Sequence, residues 1–202
     1  MTLVKICGLM RNKDVDYVNH CKPEMAGFIM CPGFRRTRSV SDAEMMVRKL
    51  SENISSVGVF MDQPLEQVSD IVKEVGFNLI QLHGDEDDEY IKKLRNLTGK
   101  RIIKSFKVKS REDIVRAEGS AADMILLDGG AGDGKTFDWS LIGSSKREYI
   151  LAGGLTPENV GDAVSTLHPF AVDTSSGVET EQFKDEQKIR GFIRAVRTAE
   201  GN

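Results

Sequence analysis

Four side chains capable of acid–base chemistry stand at or near the ends of short apolar runs. Cys7 closes Leu3 to Cys7, His83 closes Leu79 to His83, Asp128 closes Met124 to Asp128, and Asp173 lies within Phe170 to Thr174. A thiol, an imidazole and two carboxyl groups gathered in one place can give and take protons on opposite sides of a small substrate. Each also has a plainer reading. A lone cysteine in an apolar strand usually packs as a small hydrophobe, and Cys21 and Cys31 keep that reading. An aspartate followed by glycines often serves a turn, as Asp128 could, and a histidine before Gly84 can be a satisfied structural group. Their shared position at the ends of apolar runs is what favours chemistry.

Three kinds of segment bear on anions: a basic cluster, two glycine-containing strand ends and a glycine-rich loop. Arg35, Arg36 and Arg38 form a basic cluster after Met25 to Met30, either solvated surface or an anion site. Gly153 and Gly154 follow the run Tyr149 to Ala152, and Ser175, Ser176 and Gly177 follow Thr174. Backbone N–H groups at such ends can converge on a phosphate dianion without a side-chain charge. The third segment, Gly129 to Thr136 (GGAGDGKT), satisfies the nucleotide-loop pattern G-x-x-x-x-G-K-T. That loop needs a full helix from its Lys-Thr pair, whereas Phe137-Asp138-Trp139 and Gly143-Ser144-Ser145 interrupt any long helix. The glycines suit an active-site loop equally well. The acidic run Asp85 to Glu89 reads as a solvated first helical turn favoured by the macrodipole, not as a metal site.

The elements that must carry these residues follow one pattern. Besides the six runs already given, Val57 to Met61 and Ile102 to Phe106 complete eight candidate strands. Charged amphipathic stretches separate most of them. In Pro64 to Val75, for example, Leu65, Val68, Ile71, Val72 and Val75 share one helical face. Thr156 as N-cap with Pro157 at the first helical position predicts a helix over Pro157 to Leu167, and the last helix spans about Asp185 to Thr198. Between Phe137 and Gly143 the helical pattern is short and poor. Alternating βα units imply a parallel sheet with outer helices, and eight of them predict the closed (β/α)₈ TIM barrel. An open doubly wound sheet is the alternative. In a barrel the chemistry belongs at the C-terminal strand ends. Side-chain alternation then sends Lys5 and Cys7 to the axis together, with Gln81 and His83, Leu126 and Asp128, and Asp173 and Ser175 doing likewise.

Composition closes off other classes. The chain has 202 residues, 28 basic against 31 acidic, and 40% hydrophobic content, which predicts one globular domain over 1–202. A formal charge of −3 is no footprint for nucleic acid or anionic lipid. No apolar run approaches the roughly 18 residues of a spanning helix, so no membrane partner is expected. Three unpaired cysteines and an N-terminus unlike a signal peptide place the expected localisation in the cytoplasm, with no disulfide framework and no zinc site.

The segments KICGLM (5–10), GFIMCP with Arg36 (27–36), VGVFM (57–61), IQLHGDE (80–86), LLD (126–128), GKTFDW (134–139), LAGGLTPENV (151–160) and PFAVDTSSGVE (169–179) together resemble the phosphoribosylanthranilate isomerase family of tryptophan biosynthesis. The resemblance implies a (β/α)₈ barrel that performs an Amadori rearrangement on a small phosphorylated substrate, without metal or organic cofactor. It implies that the base falls on Cys7, the acid on Asp128 and the anthranilate-carboxylate contact on Arg36. The phosphate loops fall on Gly153-Gly154 and Ser175-Ser176-Gly177, and His83 and Asp173 match motif positions that line the substrate site. The assembly implied is a monomer or homodimer. The chain departs from the family pattern at Met10, usually threonine, in the Pro32-Gly33-Phe34-Arg35-Arg36 segment, and in the nearly absent spacer between Asp128 and the Gly-rich TFDW segment. The histidine-pathway Amadori isomerase is a sister reading, but that family carries aspartate where this chain has Cys7.

Overall fold

Period-two alternation resolves into geometry in the computed structural model, which describes residues 1–129, 139–142 and 145–201. Eight parallel strands pair in sequence order and close on themselves: β1 (Leu3–Ile6), β2 (Met25–Ile29), β3 (Ser55–Phe60), β4 (Leu79–Leu82), β5 (Arg101–Lys107), β6 (Met124–Asp128), β7 (Tyr149–Ala152) and β8 (Ala171–Thr174). The closing β1–β8 pair sets Lys5 opposite Asp173. The open doubly wound alternative is thereby excluded.

The α-helices among the described residues are α1 (Asn12–Cys21), α2 (Val40–Lys49), α3 (Leu65–Val75), α4 (Asp88–Thr98), α5 (Arg111–Glu118), α6 (Val160–Leu167) and α7 (Glu186–Glu200). In α3 the expected face is the buried one, with Val68, Val72 and Val75 inward, and Gly76 at φ +78° ends the helix in the left-handed conformation. After β6 the described residues show only a 3₁₀ turn, Trp139–Leu141, in keeping with the poor helical pattern there. The nucleotide-loop match is described only at Gly129; Gly130 to Thr136 lie outside the described residues.

The entry to α6 differs from expectation. Thr156 is not its N-cap. The Asn159 side chain accepts from Thr156 N at 2.8 Å and donates to Gly154 O at 2.9 Å, folding Thr156 to Asn159 into a turn that precedes the helix at Val160. Thr156 still accepts from Glu158 N through Oγ1 at 3.3 Å, and Val160 N donates to Thr156 O at 3.1 Å, so Thr156 and Asn159 cap this turn reciprocally and the regular helix begins after it.

The interior has two compartments. One apolar cluster, including Val57, Ile103, Met124, Leu126, Ile150 and Ala171, fills the barrel axis. Toward the C-terminal end the axis turns polar, with Lys5, Gln81, Ser105 and Asp173 all buried. A second cluster packs the outward strand faces against the helices. There Gly58 makes room for an aromatic group: Phe77 lies edge-on to Phe60 at 6.3 Å between centroids and tilted on Phe28 at 6.0 Å. A Cβ on Gly58 would stand 2.6 Å from the Phe77 ring. Gly58→Ala should therefore overpack this layer at a cost of roughly 1–3 kcal/mol, lowering Tm by about 2–4 °C for each kcal/mol lost. An unchanged Tm in thermal unfolding would contradict this packing.

Candidate active site

Cys7 follows directly on β1, its N–H donating to Thr174 O at 2.9 Å, and its side chain stays on the axial face. Beside it Lys5 is completely buried and donates to Asp173 Oδ1 at 3.1 Å. Gly27 on β2 is what admits this pair: a Cβ there would lie 2.8 Å from Cys7 Sγ and 3.2 Å from Lys5 Nζ. Burial alone would depress the Lys5 ammonium, but Asp173 and Cys7 outweigh it and hold its pKa above the ordinary value. For Cys7, burial is the largest influence and pushes the thiol up; Lys5 opposes it by charge and hydrogen bonding, and Asp173 reinforces it. Burial therefore holds Cys7 chiefly as a thiol near neutrality, with Lys5 in place to favour its anion.

Across the barrel, Asp128 ends β6 and His83 follows β4, with His83 Nε2 at 3.7 Å from Asp128 Oδ2. Gln81 Nε2 lies 3.1 Å from Ser105 Oγ and 3.2 Å from His83 Nδ1. Nδ1 thus faces the Gln81 amide, and Nε2 is the ring nitrogen that faces Asp128. Burial lowers the His83 pKa against the opposing pull of Asp128 and Asp173, so the ring is neutral at neutral pH.

The glycine-rich ends stand at the same mouth. Gly153 and Gly154 take φ of +97° and +64°, left-handed values that side chains resist. A Cβ on Gly153 would meet Gly129 N at 2.6 Å and Asp128 Oδ1 at 2.9 Å, which ties this turn to the acidic residue. Ser176 and Gly177 open a 3₁₀ turn, Ser176–Val178, and a Cβ on Gly177 would collide with Leu155 O. Ser175 donates from Oγ to Cys7 O at 3.0 Å, fastening the end of β8 to the end of β1.

Arg36 reaches the mouth from the loop after β2, and Gly8, at φ +76°, leaves space for it: a Cβ there would stand 2.6 Å from Arg36 Cδ. Its partner was not foreseen. Glu179 accepts from Arg36 Nε at 2.8 Å and Nη2 at 2.9 Å, from Arg35 Nη2 at 3.0 Å and from Lys184 Nζ at 2.8 Å. Glu179 and Lys184 face each other in a two-stranded ribbon, β9 (Glu179–Thr180) with β10 (Phe183–Lys184). Despite the cost of burial, Arg36 and Lys184 draw the Glu179 pKa down to about 2. Arg38 instead donates to Met10 O at 3.1 Å.

Glu86 is a further correction. Asp87 caps α4 and Glu89 is exposed, as a solvated turn would have them, but Glu86 is buried. It pairs with Lys104 at 3.3 Å and accepts from Asp62 N and Gly84 N at 2.8 and 3.0 Å. A cavity of about 600 Å³ opens beside this pair, lined by His83, Gly84, Lys104, Ser105 and Phe106.

The sequence profile of the family described as N-(5′-phosphoribosyl)anthranilate (PRA) isomerase matches residues 4–195. The chain belongs to that family. The N-(5′-phosphoribosyl)anthranilate isomerase of Acetivibrio thermocellus is 46% identical over 217 residues, covering 100% of this chain and 98% of the relative. That of Clostridium kluyveri is 42% identical over 200 residues, covering 98% of each. Among solved structures, phosphoribosyl anthranilate isomerase from Thermotoga maritima superposes with a TM-score of 0.90 at 36% identity, covering 98% of this chain and 100% of the other. Another phosphoribosyl anthranilate isomerase, solved in complex with reduced 1-(o-carboxyphenylamino)-1-deoxyribulose 5-phosphate, gives 0.89 at 36% identity, covering 98% of this chain and all of the other. These PRA isomerases share the closed barrel over their whole length.

The Glu179 cluster has a pH signature. Its folded pKa, about 2, lies below the ordinary 4.5. The stabilisation is thus complete above the unfolded value and disappears as pH falls toward the folded one. The stability gap between wild type and Glu179→Gln, measured by urea unfolding, should be constant from pH 7 to about 5 and shrink steadily below it. A gap independent of pH would show that the carboxylate charge contributes nothing.

Proposed function

We propose that the chain converts N-(5′-phosphoribosyl)anthranilate to 1-(2-carboxyphenylamino)-1-deoxyribulose 5-phosphate, with Asp128 as general acid and Cys7 as general base. Support comes from one observation above others: both residues stand at C-terminal strand ends on the axial face, on β6 and β1, with the arginine cluster and the glycine-rich turns around the same opening. Arg36 would meet the anthranilate carboxylate. Backbone N–H groups at Gly153, Gly154, Ser176 and Gly177 would hold the phosphate, with Ser175, His83 and Asp173 lining the remaining wall.

The reaction needs only these groups. Asp128 gives its proton to the ribose ring oxygen as the C1–O bond breaks, and the anilino nitrogen lone pair closes a C=N bond, leaving an iminium cation. Cys7, as the thiolate that Lys5 favours once the thiol proton has passed to solvent, then removes the C2 proton, and the C–H electron pair forms the C1=C2 double bond of an enolamine while the nitrogen is neutralised. Loss of the O2 proton and protonation at C1 complete the ketone. The raised thiol is compatible with this order, since the cation formed in the first step favours a neighbouring anion. Lys5 favours the same anion. His83, neutral and 3.7 Å from Asp128, would orient the acid.

The partner would be a small phosphorylated substrate, as one solved relative binds reduced 1-(o-carboxyphenylamino)-1-deoxyribulose 5-phosphate; a dimeric form is named for a Thermotoga maritima relative, and we take the assembly as monomer or homodimer in the cytoplasm. Among the described residues no helix is long and apolar enough to cross a membrane.

The test is to generate the substrate enzymatically and follow loss of its anthranilate fluorescence. Wild type should accelerate the decay. Cys7→Ala and Cys7→Ser should lose kcat by about 10²–10⁴, the usual contribution of general-base catalysis, with KM nearly unchanged. Asp128→Asn keeps the shape but cannot deliver a proton, and should lose kcat similarly. Decay no faster than the spontaneous rate with wild type would refute the activity, and near-normal turnover by Cys7→Ala would remove the thiol from the mechanism.

A further inference from the structure

The guanidinium of Arg36 has two edges that can take a carboxylate in parallel hydrogen bonds, Nε with Nη2 and Nη1 with Nη2. Glu179 holds the first of these, at 2.8 and 2.9 Å. It is itself anchored: each of its oxygens accepts a second charged donor, Lys184 Nζ on Oε1 and Arg35 Nη2 on Oε2. Lys184 is buried and further tied to Ser175 O at 2.9 Å, the residue whose hydroxyl reaches Cys7 O. The Glu179 side chain is only 6% exposed. A carboxylate saturated by four donors, on a ribbon fastened to the end of β8, has little freedom to rotate or to leave.

We propose that Glu179 is a positioning residue: it fixes the plane of Arg36 by the Nε/Nη2 edge, so that the substrate's ring carboxylate docks on the Nη1/Nη2 edge. This rests on the reading of Arg36 as the anthranilate-carboxylate contact. Two facts support it beyond geometry. Gly8 lacks the Cβ that would strike Arg36 Cδ at 2.6 Å, so the arginine lies pressed across the β1 turn, close to Cys7. Three cations, Arg35, Arg36 and Lys184, share this one carboxylate, a surplus of two positive charges among the described residues. The cluster thus keeps the attraction for a second anion while fixing the donor that receives it. Were Glu179 instead a competitor filling the substrate's place, removing it would tighten binding.

Two ligands separate these cases: reduced 1-(o-carboxyphenylamino)-1-deoxyribulose 5-phosphate, and the same compound without its ring carboxylate. Dissociation constants are measured by fluorescence titration for wild type, Glu179→Gln, Glu179→Ala, Arg36→Ala and the double variant Glu179→Ala with Arg36→Ala, alongside KM and kcat with the natural substrate. Glu179→Gln and Glu179→Ala should weaken the carboxylate-bearing ligand by roughly tenfold or more, the worth of one charge-assisted hydrogen bond. They should leave the decarboxylated ligand within about twofold, which also shows that each variant is folded. KM should rise with kcat little changed, and in the Arg36→Ala background the second substitution should add almost nothing. Equal loss for both ligands would mean a merely structural role, and tighter binding by Glu179→Gln would mean competition; either overturns the proposal. If wild type turns over substrate and Arg36→Ala loses the carboxylate-bearing ligand while the Glu179 variants do not, the positioning proposal alone fails. If Arg36→Ala binds both ligands as wild type does, the underlying contact is wrong.

Discussion

A lysine ammonium with no exposed surface lies on the barrel axis, and much of the mouth is arranged around it. An unanswered buried cation is costly, and breaking a buried pair by removing one partner typically costs about 3–5 kcal/mol. Asp173 supplies the answer from the neighbouring strand, at 3.1 Å and in direct register across the β1–β8 closure. That pairing places a buried positive charge next to Cys7 on the barrel axis. Gly27 is then required on the other side, because even a methyl group there would press on both the sulfur and the ammonium. The surroundings of this thiol are therefore less a property of Cys7 than of three strands brought together at one level.

The rim obeys a similar logic at larger reach. The ends of β1, β2 and β8 are laced by Ser175 to Cys7 O, Lys184 to Ser175 and Glu179 to Arg36. Opposite them, Gln81, Ser105, His83 and Asp128 form a polar arc from β4 to β6. The lower axis is apolar and packed, so the barrel supplies rigidity below and polarity above. Asp128 and Cys7, the proposed acid and base, thus stand on different arcs of the opening, an arrangement that suits protonation and deprotonation at different points of one substrate.

Much of this was legible in the chain because strands and helices announce themselves by period. Alternation alone sent Lys5, Cys7, His83, Asp128 and Asp173 inward, and the strands at Met124–Asp128 and Tyr149–Ala152 have the expected bounds. What escaped was set by contacts between distant residues. Glu179 lies 143 positions from Arg36, and its segment was visible only as a motif, with no local pattern to name its partners. Glu86 looked like one more acid in a solvated turn, yet Lys104, on another strand, draws it under the surface. Gly27 reads as an ordinary strand residue until Cys7 is placed against it. At Thr156 the difference is local: it caps a turn closed with Asn159, and the regular helix starts only at Val160.

The central claim is that the buried thiol beside Lys5 is the group on which turnover depends. It is tested most directly by alkylating the native enzyme with iodoacetamide across a range of pH, mapping each cysteine by mass spectrometry and assaying the same samples. The account predicts that activity falls in proportion to modification of Cys7 and not of Cys21 or Cys31, and that the rate at Cys7 rises with a midpoint above that of an ordinary thiol, as burial requires. Full turnover by enzyme carrying an alkylated Cys7 would contradict it.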